Sequence, residues 1–142
     1  MKRIITLVFF AISIGFFLFY SFWLGDNVKR VGISDVWFEA EVVSSSDALG
    51  KGLGGRTELC PHCAMLFSYH RSGKYNFWMK DMKFDLDIIW INEDRIVYMA
   101  KNVSHNFAET IRPDVFSDKV LEINAGLSDE YGFREGDIVE IQ

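Results

Sequence analysis

The chain has 142 residues, one domain's worth with little left over, and its 15 Lys and Arg against 20 Asp and Glu give a formal net charge of −5. Hydrophobic residues make up 49% and aromatics 15%, with only two prolines, which excludes a disordered or collagen-like chain. The acidic balance and the lack of a basic run argue against nucleic-acid binding, which needs Lys and Arg to displace counterions.

Residues 4 to 25 (IITLVFFAISIGFFLFYSFWLG) carry no charge, and only Thr6, Ser13, Gly15, Ser21 and Gly25 interrupt the apolar run. As a helix the segment would span roughly 33 Å, enough to cross a hydrocarbon core of about 30 Å. A domain of this size could not cover a helix that is apolar on every side. A secretory signal has a shorter apolar region and small residues before its cut. Here Trp23 would stand three residues before a cut after Gly25, and it is too large; no Cys follows closely enough for a lipid anchor. The expectation is an uncleaved single-pass transmembrane anchor over 4–25. Lys2 and Arg3 mark residues 1–3 as the cytoplasmic end, and the C-terminal domain is then extracytoplasmic. Lys29 and Arg30 on the far side weaken that asymmetry, while Tyr20 and Trp23 suit the outer interface. Residues 26–35 (DNVKRVGISD) read as a short linker that keeps the following domain close to the bilayer.

From Val36 the pattern has period two: Val36, Phe38, Ala40 and Val42 face one way and Glu39 and Glu41 the other, which predicts a strand. Ser46 or Asp47 would cap a short, glycine-weakened helix over Ala48 to Leu53. Ala64 to Tyr69 reads as a strand, Arg71 to Lys74 as a turn, and Tyr75 to Met79 as the returning arm of a hairpin. Phe84 to Trp90 alternates with Asp85 and Asp87, turns at Asn92-Glu93-Asp94, and leads into a strand over Arg95 to Val103. A polar stretch from Ser104 to Asp118 follows. Val120 to Ala125 and Asp137 to Ile141 are the last strands, separated by a loop or helical turn over Gly126 to Gly132. The predicted class is mainly β (β-rich α+β): a small closed sandwich or barrel of about seven short strands with one or two short helices, occupying residues 36–142 behind the transmembrane helix.

Both cysteines lie in Cys60-Pro61-His62-Cys63. This spacing serves thiol–disulfide oxidoreductases, in which one thiolate attacks and the second resolves, but in the thioredoxin setting the motif opens a helix, whereas here a strand follows. Zinc is a second reading, with Cys60, Cys63, His62 and His70 as donors; adjacent His62 and Cys63 fit one ion poorly. The third is a local structural disulfide or two free thiols, and export favours the disulfide. Asp85 and Asp87 share a strand face. They suit acid–base chemistry or a cation, or more simply a solvated face opposite Phe84, Leu86 and Ile88. Lys80 could pair with Asp81, Asp85 or Asp87. Trp78 and Met79 suit a pocket wall or the core. His70 and His105 have no Ser or Cys partner at a readable spacing, and Gly52-Leu53-Gly54-Gly55 lacks the setting of a phosphate or dinucleotide loop.

Taken in order, six blocks carry a resemblance: Gly52-Leu53-Gly54-Gly55-Arg56, Ala64-Met65-Leu66-Phe67, Phe77-Trp78-Met79-Lys80, Leu86-Asp87-Ile88-Ile89, Leu121-Glu122 with Ala125-Gly126, and Gly136-Asp137. Over about 36–141 the chain resembles the domain of unknown function 192 family. The resemblance implies a small β-rich domain, often exported or membrane-anchored, without an established reaction. Its recurrent residues fall on Gly52, Arg56, Met65, Leu66, Phe67, Trp78, Met79, Lys80, Leu86, Asp87, Glu122, Gly126, Gly136 and Asp137. The chain departs from the family in Ala64, where glycine is usual, and in Cys60 and Cys63, which look like a local addition.

Among these, Arg56, Lys80, Asp87 and Glu122 come from four separate segments. Brought together, two cations would meet two anions, either as a network tying the sheet or as the lining of a polar cleft beside Trp78. The expected function is a membrane-tethered binding module for a ligand or partner at the cell envelope, with no complete catalytic set, no cofactor and no metal. The alternatives are an envelope thiol–disulfide oxidoreductase using Cys60 and Cys63, and a carboxylate-based hydrolase or sugar-acting enzyme using Asp85, Asp87 or Glu122.

Overall fold

The computed structural model describes residues 27–142. The anchor expected over 4–25 and the cytoplasmic end over 1–3 lie outside them. Among the described residues no helix is long and apolar enough to cross a membrane.

Seven strands form one sheet: β1 (Val28–Ile33), β2 (Val36–Val43), β3 (Cys63–Gly73), β4 (Leu86–Asn92), β5 (Arg95–Val103), β6 (Ser117–Asn124) and β7 (Val139–Ile141). Their order across the sheet is β5-β4-β6-β3-β2-β1-β7. Two short helices, α1 (Ser46–Lys51) and α2 (Leu127–Glu130), complete the domain. The expected sandwich or barrel is thus a single sheet curled into a half-barrel. Its two edge strands meet at one end: Ile138 bridges Arg95, and Val139 donates its backbone N–H to the Asp94 carbonyl at 2.8 Å.

The alternation from Val36 holds as β2, and β5 runs over Arg95–Val103 as expected. Three expectations need correction. The linker placed over 26–35 contains β1, whose Val31 and Ile33 are fully buried. Its cross-strand neighbour Trp37 lies over Gly32 so closely that a Cβ there would sit 2.9 Å from the ring. The hairpin expected from Tyr75 to Met79 does not form. β3 runs on to Gly73, and the next segment contributes only an isolated bridge from Phe77 to Ile111. The helix cap is Ser45, whose Oγ accepts the Ala48 N–H at 3.4 Å, not Ser46 or Asp47.

Both faces of the sheet carry an apolar core. One cluster draws on all seven strands, through residues such as Ile33, Phe38, Leu66, Ile89, Ile91, Ile96, Leu121, Ile123 and Val139. The alternate residues Val43, Met65, Phe67, Leu86, Ile88, Trp90 and Val120 form a second cluster with Leu53, Phe77 and Met79 from the connections. Residues from 86 to 91 of β4 are therefore all buried. This corrects the expectation that Asp87 shares a solvated face with Asp85. Asp87 is fully buried, and its carboxylate accepts backbone N–H groups from Asn102 (2.7 Å), Gly126 (3.2 Å) and Ser128 (2.8 Å). It thereby fastens β5 and the start of α2 to β4.

Removing that charge tests the fastening. Asp87→Asn keeps the shape but turns an amide toward groups that are all donors. It should lower stability by about 2–4 kcal/mol, read as a shift of the denaturant midpoint.

Candidate functional site

The segment after β3 is extended, and its side chains alternate. Phe77 and Met79 are buried, whereas Asn76, Trp78 and Lys80 face outward, with Trp78 50% exposed. Three contacts hold it in place. The Trp90 indole N–H donates to the Tyr75 carbonyl at 2.8 Å, and Phe77 and Ile111 exchange backbone hydrogen bonds at 3.1 and 2.8 Å. The Phe77 ring packs edge-on against Phe67 at 4.8 Å and Trp90 at 5.5 Å. Aromatic packing thus orients Trp78 and Lys80 without a strand ladder.

Opposite this strip lies the connection from β2 to β3. Those strands are parallel, so the chain must return along the sheet before pairing again. On the way it forms α1 and the loop of Gly52-Leu53-Gly54-Gly55. Leu53 plugs into the second apolar cluster, and Gly55 donates to the Asp81 carbonyl at 2.9 Å. A Cβ on Gly54 would stand 2.9 Å from the Lys51 carbonyl oxygen and 3.4 Å from that of Lys80. The glycines let this loop close against the aromatic strip; they do not cradle a phosphate.

Between loop and strip is a cavity of about 190 Å³. Trp78, Lys80 and Glu122 line it together, joined by Lys51, Phe67, Tyr69, Asn76 and Phe77. Glu122 of β6 lies opposite Met65 of β3 and Ile88 of β4, so it rises from the middle of the second apolar face. It is 4% exposed, and its Oε2 has no hydrogen-bond partner. Burial raises its carboxyl from 4.5 to about 8, because the anion loses hydration without gaining a partner. Tyr69, stacked on Tyr75 with ring centroids 3.5 Å apart, has its phenol pushed up by burial first, then by Tyr75 and Glu122.

The other expected site residues lie elsewhere. Arg56 is paired with Glu41 at 2.6 Å in a neighbouring depression. Asp87 lies next to Ile88 on β4, and Ile88 pairs with Glu122. Asp87 therefore points to the opposite face of the sheet from Glu122. The four-membered network of Arg56, Lys80, Asp87 and Glu122 does not form. Lys80 pairs with none of Asp81, Asp85 and Asp87. Asp85 instead accepts from the His105 backbone and ring, each at 2.7 Å, and this holds its carboxyl below the usual range. The facing carboxylates needed for acid–base hydrolysis are thus absent from Asp85, Asp87 and Glu122. Cys60 and Cys63 are joined in a disulfide, which removes both thiolates from the zinc reading. The bond lies where the chain enters β3, and the Asn124 amide donates to the Leu59 and Cys60 carbonyls at 3.0 Å. Among the described residues no group of three or more His, Cys, Asp or Glu is placed to hold a metal ion.

Sequence reasoning missed Lys51, Phe67, Tyr69 and Asn76 as wall residues. The odd–even alternation through 76–80 carried a signal for Asn76. The alternation Met65, Phe67, Tyr69 along β3 carried one for Tyr69, while nothing local marks Lys51, which reaches the cavity through the crossover.

The DUF192 family, described as an uncharacterized ACR, matches residues 28–141. Two crystal structures are similar over 80% of this chain. A protein of unknown function from Novosphingobium aromaticivorans DSM 12444 is 31% identical with a TM-score of 0.73 over 83% of its own chain. A proposed transcription regulator from Sinorhizobium meliloti 1021 is 26% identical with a TM-score of 0.73 over 92% of its chain. No curated protein matches the chain.

The unpartnered buried carboxyl of Glu122 sets a pH dependence. Folded, Glu122 holds its proton to about pH 8; its ordinary value is 4.5. Between those limits the folded chain binds more protons than the unfolded one, so stability falls as pH rises, by up to about 1.4 kcal/mol per pH unit. Glu122→Gln should flatten that slope in denaturant midpoints measured from pH 5 to 8. Equal slopes in the two proteins would show that the carboxyl is already paired.

Proposed function

The chain belongs to the DUF192 family, and from that premise we propose that its domain is a binding module for a small polar ligand, held at the cell-envelope surface by an anchor over residues 4–25. The observation that carries the binding role is Glu122, a buried acid whose Oε2 has no hydrogen-bond partner and which lines the cavity together with the exposed Trp78 and Lys80. A buried polar atom without a partner costs about 1–3 kcal/mol. A ligand that satisfies it recovers that cost on binding.

Recognition suits the lining better than turnover does. It offers one carboxyl, two lysines, an amide and a phenol, and Asp85 and Asp87 are committed to other contacts. Half-exposed Trp78 is a stacking platform at the mouth. Nucleic acid suits this chain poorly as a partner. The net charge of −5 and the lack of a basic run oppose it, although one structural neighbour is a proposed transcription regulator. The charge-free stretch 4–25 behind Lys2 and Arg3 supports a cytoplasmic N-terminus and an exported domain.

The binding role is tested on the full chain in detergent micelles, screened by ligand-observed NMR against amino acids, amines, carboxylates and sugars. Saturable binding of at least one class is expected, weakened about tenfold or more by Trp78→Ala, a loss of about 1.4 kcal/mol. Consumption of a compound that depends on Lys80 or Glu122 would replace binding with catalysis. The anchor is tested separately: the full chain should pellet with membranes through an alkaline carbonate wash, and a chain lacking residues 4–25 should not. Release of the full chain into the wash would remove the anchor.

A further inference from the structure

The cavity walls also constrain what enters. This step rests on the binding role proposed above and concerns the class of ligand. The charged groups lining the cavity are Glu122 from β6 on the inside and Lys51 from α1 and Lys80 from the aromatic strip on the exposed side. Among the described residues neither lysine has an ion-pair partner. Tyr69 of β3 is the remaining titratable group in the lining. We infer that the cavity takes a small zwitterion, its ammonium against the Glu122 carboxylate and its anionic end toward Lys51 and Lys80.

Three observations lead there. A site that needed only a hydrogen bond at its base could use Gln or Ser and avoid the cost of a buried acid. An ionisable group that is 4% exposed with a free oxygen gains most from a partner that ionises it and neutralises the charge at once. The side walls are the rings of Phe67, Tyr69, Phe77 and Trp78, whose faces attract an ammonium. A simple amine would leave the two lysines unanswered and would be repelled by them at the entrance. A simple carboxylate would satisfy the lysines but bring a second acid toward Glu122. A zwitterion meets both signs, and a cavity of about 190 Å³ limits it to the size of an amino acid or a slightly longer amino carboxylate. Charge balances on binding: the ammonium keeps its protons, Glu122 gives its own to the buffer, and the ion pair forms between them.

That proton release makes the sign of the pH dependence diagnostic. Titration calorimetry of the full chain in detergent micelles would use 4-aminobutyrate, butyrate and butylamine at pH 6, 7 and 8, in buffers of different ionisation heat. The expected result is that 4-aminobutyrate binds most tightly, with Kd improving by about tenfold per pH unit and with about one proton released at pH 6. Glu122→Gln should abolish both the slope and the release, and Lys80→Ala should erase the advantage over butylamine. Butyrate binding as tightly as 4-aminobutyrate, a Kd that worsens with pH, or no binding of 4-aminobutyrate at millimolar concentration would overturn the inference. If butyrate or a neutral sugar still binds in a Trp78-dependent way, the binding role stands and only the ligand class falls. If no compound of the wider screen binds, both fall.

Discussion

A sheet buried on both faces dictates most of what this domain does. A charged side chain of β3, β4 or β6 in that double core is costly unless it is hydrogen-bonded, because no solvent is at hand to supply a missing partner. Asp87 meets the rule with three backbone donors and becomes a structural joint. Glu122, one register step away on the other face, does not meet it. Two acids with nearly the same burial thus have opposite roles, and the difference is whether the surrounding backbone presents N–H groups. One joins three segments of the fold; the other keeps a buried oxygen that no described residue satisfies.

The cavity follows from topology. A parallel neighbour for β2 requires a return path across the sheet, and that path is long enough to carry α1 and the glycine-rich loop. The loop lies on the second apolar face because Leu53 is drawn into it, and it stops short of Glu122 because the aromatic strip is already fastened there through Trp90 and Ile111. What remains between loop and strip is the cavity. Its shape therefore depends on packing contacts remote from any ligand, and so do the positions of Trp78 and Lys80.

Patterns within one element were legible in the sequence; patterns between elements were not. The alternation of β2 and the span of β5 could be read directly, because half-buried strands repeat every two residues. β1 escaped notice because Lys29 and Arg30 give its exposed start the look of a linker, and its burial rests on Val31 and Ile33 joining the first apolar cluster, drawn from all seven strands. Tyr75 to Met79 resembled a strand for the right local reason, alternation, but its aromatic rings are used for packing rather than pairing. Asp87 reads as solvated because alternation implies water on one side of a strand, whereas β4 has protein on both. Of the proposed cleft, Trp78 and Lys80 could be grouped from one segment. Their meeting with Glu122, and the departure of Arg56 to Glu41, were settled by strand order, which periodicity does not encode.

Strand order has a further consequence, for assembly in time. β1 comes first among the described strands and β7 last, yet they are neighbours, joined by backbone hydrogen bonds between Arg30 and Gln142 and by the pairing of Val31 with Ile141. A chain emerging from a ribosome or a translocation pore must therefore hold β1 with one open edge until β7 arrives. Non-local closure of this kind makes folding slow and leaves intermediates sticky. The charged start of β1 then acts as a guard, making that waiting edge a poor template for another chain.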